Sequence, residues 1–450
     1  MEVQTEFDVI VCGTSLVNCI LAAALAKAGV SVLHLDGNEF YGQEEGTHDL
    51  GSFVAELERN VALGERGFVR SMQVDGREAI EASRGDWRRF ALDGSAKTLL
   101  CNGPLVELLV RSEVSKYLDF RCLQAALLRP EGGEAVRVPC SKADVFQSTS
   151  ISLVEKRYLM KFLGVFQEAA PPSEWADKAF GAVLDEHKME GLLRGVIVHA
   201  ICGADSEQGL SAVRGFHLVR QYVGSVGRFG STPFLFPLYG CSETAQAFSR
   251  LGAVGGATYM LRKPLRRVSE LPEGPVAGGA RFAVLDGDGE QWRSRHVVVS
   301  PGCCSALEEA VPVERTGPVV HHAYALLRQA AFPETPLAQS THVVEGRVVQ
   351  ALHLDASMKV CPEGCHLVCM WSTADGVLPR VLAQLGSPEW TVAWTTQARR
   401  PLLPAHLLCT SDPDVSVPDF EAVVAEARAL FEKLAPPGAI FFPAPPPSAD

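Results

Sequence analysis

The order of apolar runs at the start of the chain predicts a strand, a helix and a second strand. The run FDVIVC at residues 7–12 predicts the first strand, and the small apolar residues after it predict a buried helix. The second run, VSVLHL at 30–35, ends at the acidic residue Asp36. This order is typical of the βαβ unit with which α/β proteins bind dinucleotides. The opening of the chain therefore predicts an α/β fold with parallel strands.

The middle of the chain changes to helical periodicity. From Ser148 to Arg220, apolar residues recur at the spacing that places them on one face of a helix. This block interrupts the α/β pattern and predicts a small inserted all-α domain. The predicted division is a large α/β domain in two parts, 1–147 and 223–435, a helical domain at 148–222, and a Pro-rich tail at 436–450.

Short apolar strands dominate the region after the helical block. Their spacing predicts an antiparallel sheet within a mixed large domain. The segment TPFLFPLYG carries Pro233 and Pro237, which argue against a regular central strand there. The predicted strands are 280–285, 296–300, 319–327, 343–354 and 366–371.

Composition narrows the class of protein. The chain has 450 residues, of which 47% are hydrophobic and 21% charged, as in ordinary globular proteins. The formal net charge of −12 argues against nucleic acid as a partner. We find no secretory signal and no apolar run of membrane-spanning length, which predicts a cytosolic protein.

Cysteine usage points to the same compartment. The 13 cysteines are an odd number and are scattered, which favours free thiols over a disulfide framework. Cys361, Cys365, His366 and Cys369 lack the spacing of a zinc knuckle. We therefore expect no metal site.

The glycine fingerprint of the βαβ unit is incomplete. Gly13 occupies the first glycine position, but Ser15 and Asn18 occupy the second and third. The second glycine lets the backbone approach a pyrophosphate, and the third lets the helix pack on the strand. Side chains at both positions narrow the phosphate path. The sequence thus predicts the fold of a dinucleotide-binding domain but no bound cofactor.

The richest candidate surface lies at residues 228–263. Glu243 and Arg250 are seven residues apart, so two helical turns place both on one face. Thr258 and Met260 alternate in a predicted strand and share a face. An acceptor, a guanidinium, a hydroxyl and a soft apolar group suit protein recognition. The alternative is helix capping with core packing, and the chain shows no convincing catalytic constellation.

Several long segments resemble one family in the same order. FDVIVCGTSLVNCI, TPFLFPLYG and SRLGAVGGATYML are similar to segments of the Rab GDP-dissociation inhibitors and Rab escort proteins. The likeness covers most of residues 1–265. Within the family, VPCSKADVFQS at 138–148 and LVEKRYLMKFL at 153–163 resemble the escort branch.

The resemblance implies a flavin-monooxygenase-like large domain without flavin, plus a small helical domain. It implies a non-catalytic protein that binds GDP-form Rab GTPases, both unprenylated and prenylated. Such a protein presents them to the Rab geranylgeranyltransferase heterodimer and then delivers them to membranes. The Rab-binding residues that it implies are Tyr41, Glu243, Arg250, Thr258 and Met260.

A geranylgeranyl lipid needs an apolar site, because each CH₂ buried from water is worth about 0.8 kcal/mol. The apolar faces of the helical domain offer Leu163, Phe166, Leu193 and Ile197 as candidates. The alternative for each is simple core packing. Two other functions stay open: a Rab GDP-dissociation inhibitor, and a flavin-dependent oxidoreductase holding FAD at Gly13 and Asp36.

Overall fold

The computed structural model describes residues 4–140, 142–148, 150–272, 279–414 and 420–443. The strands are β1 Glu6–Cys12, β2 Val32–Leu35, β3 Thr47–His48, β4 Val69–Asp75, β5 Leu92–Asp93, β6 Leu99–Leu100, β7 Phe120–Cys122, β8 Ala125–Arg129, β9 Val136–Arg137, β10 Phe234–Pro237, β11 Thr258–Met260, β12 Leu265–Glu270, β13 Phe282–Asp286, β14 Gln291–Val299, β15 Val313–Leu327, β16 Ala338–Val344, β17 Arg347–Asp355, β18 His366–Ser372, β19 Trp390–Pro401 and β20 Leu408–Cys409. The α-helices are α1 Leu16–Lys27, α2 Leu50–Ala62, α3 Arg77–Ala82, α4 Pro104–Ser112, α5 Lys142–Gln147, α6 Leu153–Val165, α7 Phe180–Glu186, α8 Gly191–Gly195, α9 Ala212–Ser225, α10 Ser242–Val254, α11 Pro301–Cys304, α12 Leu378–Leu385 and α13 Glu421–Leu434.

The predicted βαβ unit forms the centre of a seven-stranded sheet. Its order is β11-β2-β1-β14-β13-β12, with β20 paired to β14. Strands β11, β2, β1 and β14 are parallel, whereas β13 and β12 add antiparallel strands. Helices α10 and α13 pack against α1, which is buried along almost its whole length. Small residues make this close packing possible, because a Cβ at Gly255, just after α10, would lie only 3.3 Å from Ala26 Cβ of α1.

The second sheet has eight strands in the order β4-β19-β15-β18-β17-β16-β8-β9. Apart from the parallel pair β8 and β16, its strands are antiparallel. Phe53 of α2 packs edge-on against Tyr324 and Trp394 of this sheet, with ring centroids 5.5 and 5.3 Å away. The antiparallel sheet was predicted, but β4 and the long strand β19 were not.

Two strand predictions were wrong. The single strand predicted at 343–354 is broken by a turn at Glu345 and Gly346, both with positive φ, so β16 and β17 form a hairpin. The prolines at 233 and 237 do not prevent a central strand. They lie before and at the end of β10, which is the middle strand of a small sheet ordered β6-β10-β7.

The helical block runs from α5 to α9 and surrounds its own apolar core. Phe162, Phe166 and Phe216 lie in this core, and Gly215 lies so close to the Phe180 ring that a Cβ there would be 2.3 Å away. The helix predicted at 189–202 is α8 continued by a π-helix, Val196–Ile201. The helices extend beyond the boundaries 148 and 222, and that division of the chain stays a prediction.

All 13 cysteines are free and are buried or half-buried. Within the described ranges, no helix is long and apolar enough to cross a bilayer. Of the predicted Pro-rich tail, residues 444–450 lie outside the described part. The residues just before them are ordered by aromatic packing, because Phe441 and Phe442 contact Phe431 and Phe248.

Candidate functional site

The turn after β1, where a dinucleotide-binding protein of this fold places the pyrophosphate, is filled by the chain's own side chains. The Asn18 amide donates to the carbonyl oxygens of Cys12 and Gly13 at 3.2 and 2.9 Å. Gly13 has a φ of +97°, and a Cβ there would lie 2.1 Å from Ser300 Oγ and 2.5 Å from Gln43 Nε2. The space over the turn is therefore already occupied.

Asp36, the acidic residue that follows β2, is also hydrogen-bonded within the chain itself. Asp36 Oδ2 accepts hydrogen bonds from the backbone N–H and the hydroxyl of Thr14, both at 2.6 Å. Its Oδ1 accepts from the N–H of Asn38 at 2.8 Å. Burial disfavours the charged form and raises the pKa of Asp36 to about 6, although these hydrogen bonds oppose the shift. Neither this carboxylate nor the Thr14 N–H is free for a nucleotide.

Three largely buried charged residues, Arg399, Asp412 and Glu44, fill the space beside the turn. The Arg399 guanidinium donates to Asp412 through Nε and Nη2 at 2.8 Å and also pairs with Glu44. Its carbon lies 5.4 Å from the centre of the Phe68 ring. The cavity left beside it measures about 150 Å³, below the ~300–1,000 Å³ typical of ligand pockets. These residues do not fit a flavin or nicotinamide dinucleotide.

Tyr41 is positioned by two other segments of the chain, which are the turn after β1 and the start of α10. The Gly42 N–H donates to Thr14 O at 3.0 Å, and a Cβ at Gly42 would lie 3.1 Å from Ser242 Cβ at the start of α10. Tyr41 is half-buried, and burial raises the pKa of its hydroxyl. Tyr41 and the first turn of α10 therefore form one surface.

Helix α10 presents the predicted Glu243 and Arg250 on its outer side. Its inner side packs Ala245, Phe248 and Gly252 into the core. Glu243 is half-buried, and burial raises the pKa of its carboxyl. The exposed Arg250 guanidinium stacks over the Tyr117 ring at 4.5 Å from its centroid, a cation–π contact that restricts the arginine.

The structure separates Thr258 and Met260 from this helix. Between them, Tyr259 turns toward α10, since a Cβ at Gly252 would lie 2.3 Å from its hydroxyl. Because side chains alternate along a strand, Thr258 and Met260 point to the opposite sheet face. Strand β11 is the edge strand of the sheet. The half-buried side chains of Thr258 and Met260 can therefore join the surface of α10 only by extending past this strand.

Asp93 anchors the entrance to α10. Its Oδ1 accepts from the hydroxyl of Thr47 at 2.5 Å and from the N–H of Cys241 at 2.8 Å. Sequence reasoning missed Asp93, and it also missed Gln43 and Tyr117. Gln43 lies 257 positions before Ser300 and Tyr117 lies 133 before Arg250, so no local pattern connects these partners.

The helical block contains an apolar cavity of about 280 Å³. Of the four predicted lipid-lining residues, Leu163 and Ile197 border it. Phe166 and Leu193 do not border it and lie in the core of the block, 2% and 1% exposed. The π-helix contributes Ile201 as a further lining residue, and π-helical turns often mark functional sites.

These features define a class: a flavoprotein-type scaffold whose dinucleotide groove is closed by its own side chains. Residues 3–345 match the family described as GDI, GDP dissociation inhibitor. The chain belongs to this family, as the resemblance in the sequence indicated.

Two relatives cover nearly the whole chain. Rab proteins geranylgeranyltransferase component A 1 of Caenorhabditis elegans is 29% identical over 96% of this chain and 93% of its own length. The Drosophila melanogaster protein named component A is 28% identical over 97% and 89%. Rab GDP dissociation inhibitor beta of Canis lupus familiaris is 32% identical over 70% and 66%.

Solved structures confirm the predicted fold class. A Rab GDI from Plasmodium falciparum superimposes with a TM-score of 0.75, is 20% identical, and is matched over 96% of this chain and 98% of its own. An oxidoreductase from Methanosarcina mazei gives a TM-score of 0.58 at 12% identity over 94% and 100%. At 20% and 12% identity, both likenesses extend to the fold alone.

Substitution of Gly13 tests the closed turn. Gly13→Ala should lower the free energy of unfolding by about 3 kcal/mol, because the buried Ser300 and Gln43 leave no room for a methyl group. Gly256→Ala is the matched control. Its φ is +98° but its surroundings are empty, so the cost should be about 1 kcal/mol. If denaturant unfolding showed the same decrease in the free energy of unfolding for both variants, the filled turn would be contradicted.

Asp93→Asn tests the anchor of α10. Burial raises the pKa of Asp93 to about 7, above the ordinary value of about 4 in the unfolded chain. The folded carboxyl therefore keeps a proton that the unfolded one releases, and its contribution to stability falls as pH rises from 4 to 7. Asparagine keeps the accepting oxygen without the charge. As the pH rises from 4 to 7, the Tm of the variant should increase relative to that of the wild type. Parallel curves of Tm against pH for the two proteins would rule out a buried charge at Asp93.

Proposed function

We propose that this protein is a non-catalytic Rab escort protein. It binds GDP-form Rab GTPases, presents them to Rab geranylgeranyltransferase and carries the prenylated products through the cytosol to membranes. One observation carries the proposal: the relatives named component A match over 96% and 97% of the chain. The inhibitor match covers 70%. A likeness that continues through the last third of the chain favours the escort branch.

A Rab GDP-dissociation inhibitor is the second candidate. Its support is the higher identity of 32% over the shared region and the TM-score of 0.75 with the Plasmodium protein. Both candidates use one scaffold and one GTPase-binding surface. They differ in whether the unprenylated GTPase and the transferase are bound together.

The proposed Rab-binding surface is centred on Arg250. The guanidinium is exposed and is oriented by Tyr117, so less side-chain freedom is lost when it binds a partner. Glu243 lies two turns away on the same helix, and Tyr41 lies beside the first turn. Thr258 and Met260 extend the surface around the sheet edge. Arginine and tyrosine are the residue types that dominate the energetics of protein interfaces.

The proposed lipid site is the helical block. Leu163 and Ile197 border its cavity, and Phe166 and Leu193 form the core behind it. A volume of about 280 Å³ is just under the ~300 Å³ lower bound of ligand pockets. A geranylgeranyl chain therefore requires α6 to separate from α8 and the π-helix that continues it. We propose that Phe166 and Leu193 line the widened site and repack when the lipid leaves.

The filled glycine turn argues against the oxidoreductase alternative. FAD would need the backbone donors and the acid that Asp36 and Thr14 already use on each other. Among the described residues, no group of three or more His, Cys, Asp or Glu side chains could hold a metal ion. In this proposal the chain binds and positions its partners, and prenyl transfer takes place on the transferase.

Arg250→Ala tests the binding surface. The affinity for GDP-loaded Rab should fall about 30-fold, or about 2 kcal/mol, in a titration, because a central interface arginine is removed. Arg84→Ala is the matched control, since Arg84 is also exposed and lies 5.3 Å over an aromatic ring, that of Trp87, in another part of the molecule. Unchanged affinity for Arg250→Ala would remove the assignment of this surface.

Reconstituted prenyl transfer separates the two candidates. An escort protein should allow the transferase to prenylate unprenylated Rab, because it brings both proteins together. Omission of this chain should leave Rab unmodified in the same mixture. A chain that extracts prenylated Rab from membranes but supports no transfer would instead be an inhibitor.

A further inference from the structure

A groove lies on the outer face of the eight-stranded sheet, on the side away from Phe53 and α2. Helix α12 packs on this outer face over β15, β16 and β18. Between α12 and the edge strand β4, the face forms a groove of about 410 Å³. This volume lies within the ~300–1,000 Å³ typical of ligand pockets. We name it the outer groove.

The floor of the outer groove is made of small side chains. Ala393 of β19 pairs in register with Ala323 of β15 and with Gln73 of β4. Because side chains alternate along a strand, those of the two alanines point to the outer face while those of their chain neighbours point inward. Leu378 and Leu382 of α12 form one wall. The apolar part of a ligand can therefore lie on the alanines and against the leucines.

A carboxylate stands at each end of the outer groove. Asp75 is at one end, where it pairs in register with Thr391. Asp375 is at the other end, with its Oδ1 3.5 Å from Nδ1 of His321. Among the described residues that line the groove, none is Lys or Arg. The groove therefore favours a ligand that carries positive charge.

The spacing of the two carboxylates limits the length of such a ligand. Asp75 and His321 are two strands apart across the sheet, and Thr391 and Thr395, their partners in β19, are four residues apart. At ~3.3 Å per residue and ~4.8 Å per strand, this offset is about 16 Å. A ligand that donates one hydrogen bond of ~2.8 Å at each end must hold its two donors about 10 Å apart.

We propose that the outer groove binds an aliphatic diamine, an apolar chain with an ammonium group at each end. Its methylene groups lie on Ala393 and Ala323, and its ammonium groups contact Asp75 and Asp375. The Asp375 side chain is 91% exposed, so an ion pair there strengthens binding about fivefold at most. The groove has no lining residue in common with the cavity of the helical block. This site lies beyond the proposed function.

Calorimetric titration of the full chain at low ionic strength tests the proposal. Octamethylenediamine, whose eight methylenes match the spacing, should bind with a Kd of about 1 mM or lower. Octylamine has the same chain with one ammonium group and should bind about fivefold more weakly. Tetramethylenediamine is too short to reach both carboxylates and should bind about tenfold more weakly. Added salt should weaken the binding of both diamines.

The double variant D75N/D375N separates charge from shape. It should bind octamethylenediamine and octylamine equally, because both carboxylates are replaced by neutral amides. The matched control is D86N/D177N, in which two exposed aspartates that do not line the groove are changed. Its net charge is the same, and it should bind the diamine like the wild type. The variant A393L fills the floor and should weaken both ligands more than tenfold.

Four results would overturn the proposal. They are failure of the wild type to bind octamethylenediamine, equal binding of octylamine by the wild type, an unchanged diamine preference in D75N/D375N, and binding of a lysine-containing peptide but of no free diamine. The last result would make the groove a protein interface. Rab is absent from every titration, so these outcomes do not depend on the proposed function.

Discussion

The packing of Gln43, Ser300 and Asn18 onto the Gly13 turn is the contact on which the rest of the structure depends. A dinucleotide-binding domain leaves this turn open because a pyrophosphate completes its hydrogen bonds. In this chain, Asp36 accepts the hydrogen bond from the Thr14 N–H, and the Asn18 amide donates to the carbonyl oxygens of Cys12 and Gly13. The space over the turn is therefore occupied by the chain's own side chains.

The binding surfaces proposed for this protein lie on the outside of the molecule, away from the closed groove. The Arg399–Asp412–Glu44 triad joins the eight-stranded sheet to the segments that follow β2 and β20, and truncating one partner of such a triad leaves a buried charge uncompensated. Helix α10 packs its buried side against the core and displays Glu243 and Arg250 on its outer side. The helical block has its own core and its own cavity, which suits a separate task.

Helices and strands were predicted correctly from the sequence where apolar residues recur at one regular spacing. The βαβ opening and the helical block follow from apolar spacing alone. Errors arose where the chain reverses without a strong turn signal, as at Glu345 and Gly346, or where a strand is defined by its neighbours. Strand β10 exists because β6 and β7 supply its hydrogen bonds on both sides, and the prolines at its ends do not interrupt that pairing.

The side chains that replace the fingerprint glycines can be read directly from the sequence, so the sequence by itself determined that the phosphate path is narrowed. The seven-residue spacing of Glu243 and Arg250 likewise determined that they share a helix face. The tertiary structure alone decided what fills the turn, which ring orients Arg250, and that Thr258 and Met260 face away from α10. The physical reason is that these contacts join residues 30 or more positions apart, as between Gly13 and Ser300, or depend on strand pairing. Neither leaves a periodic signal in the chain.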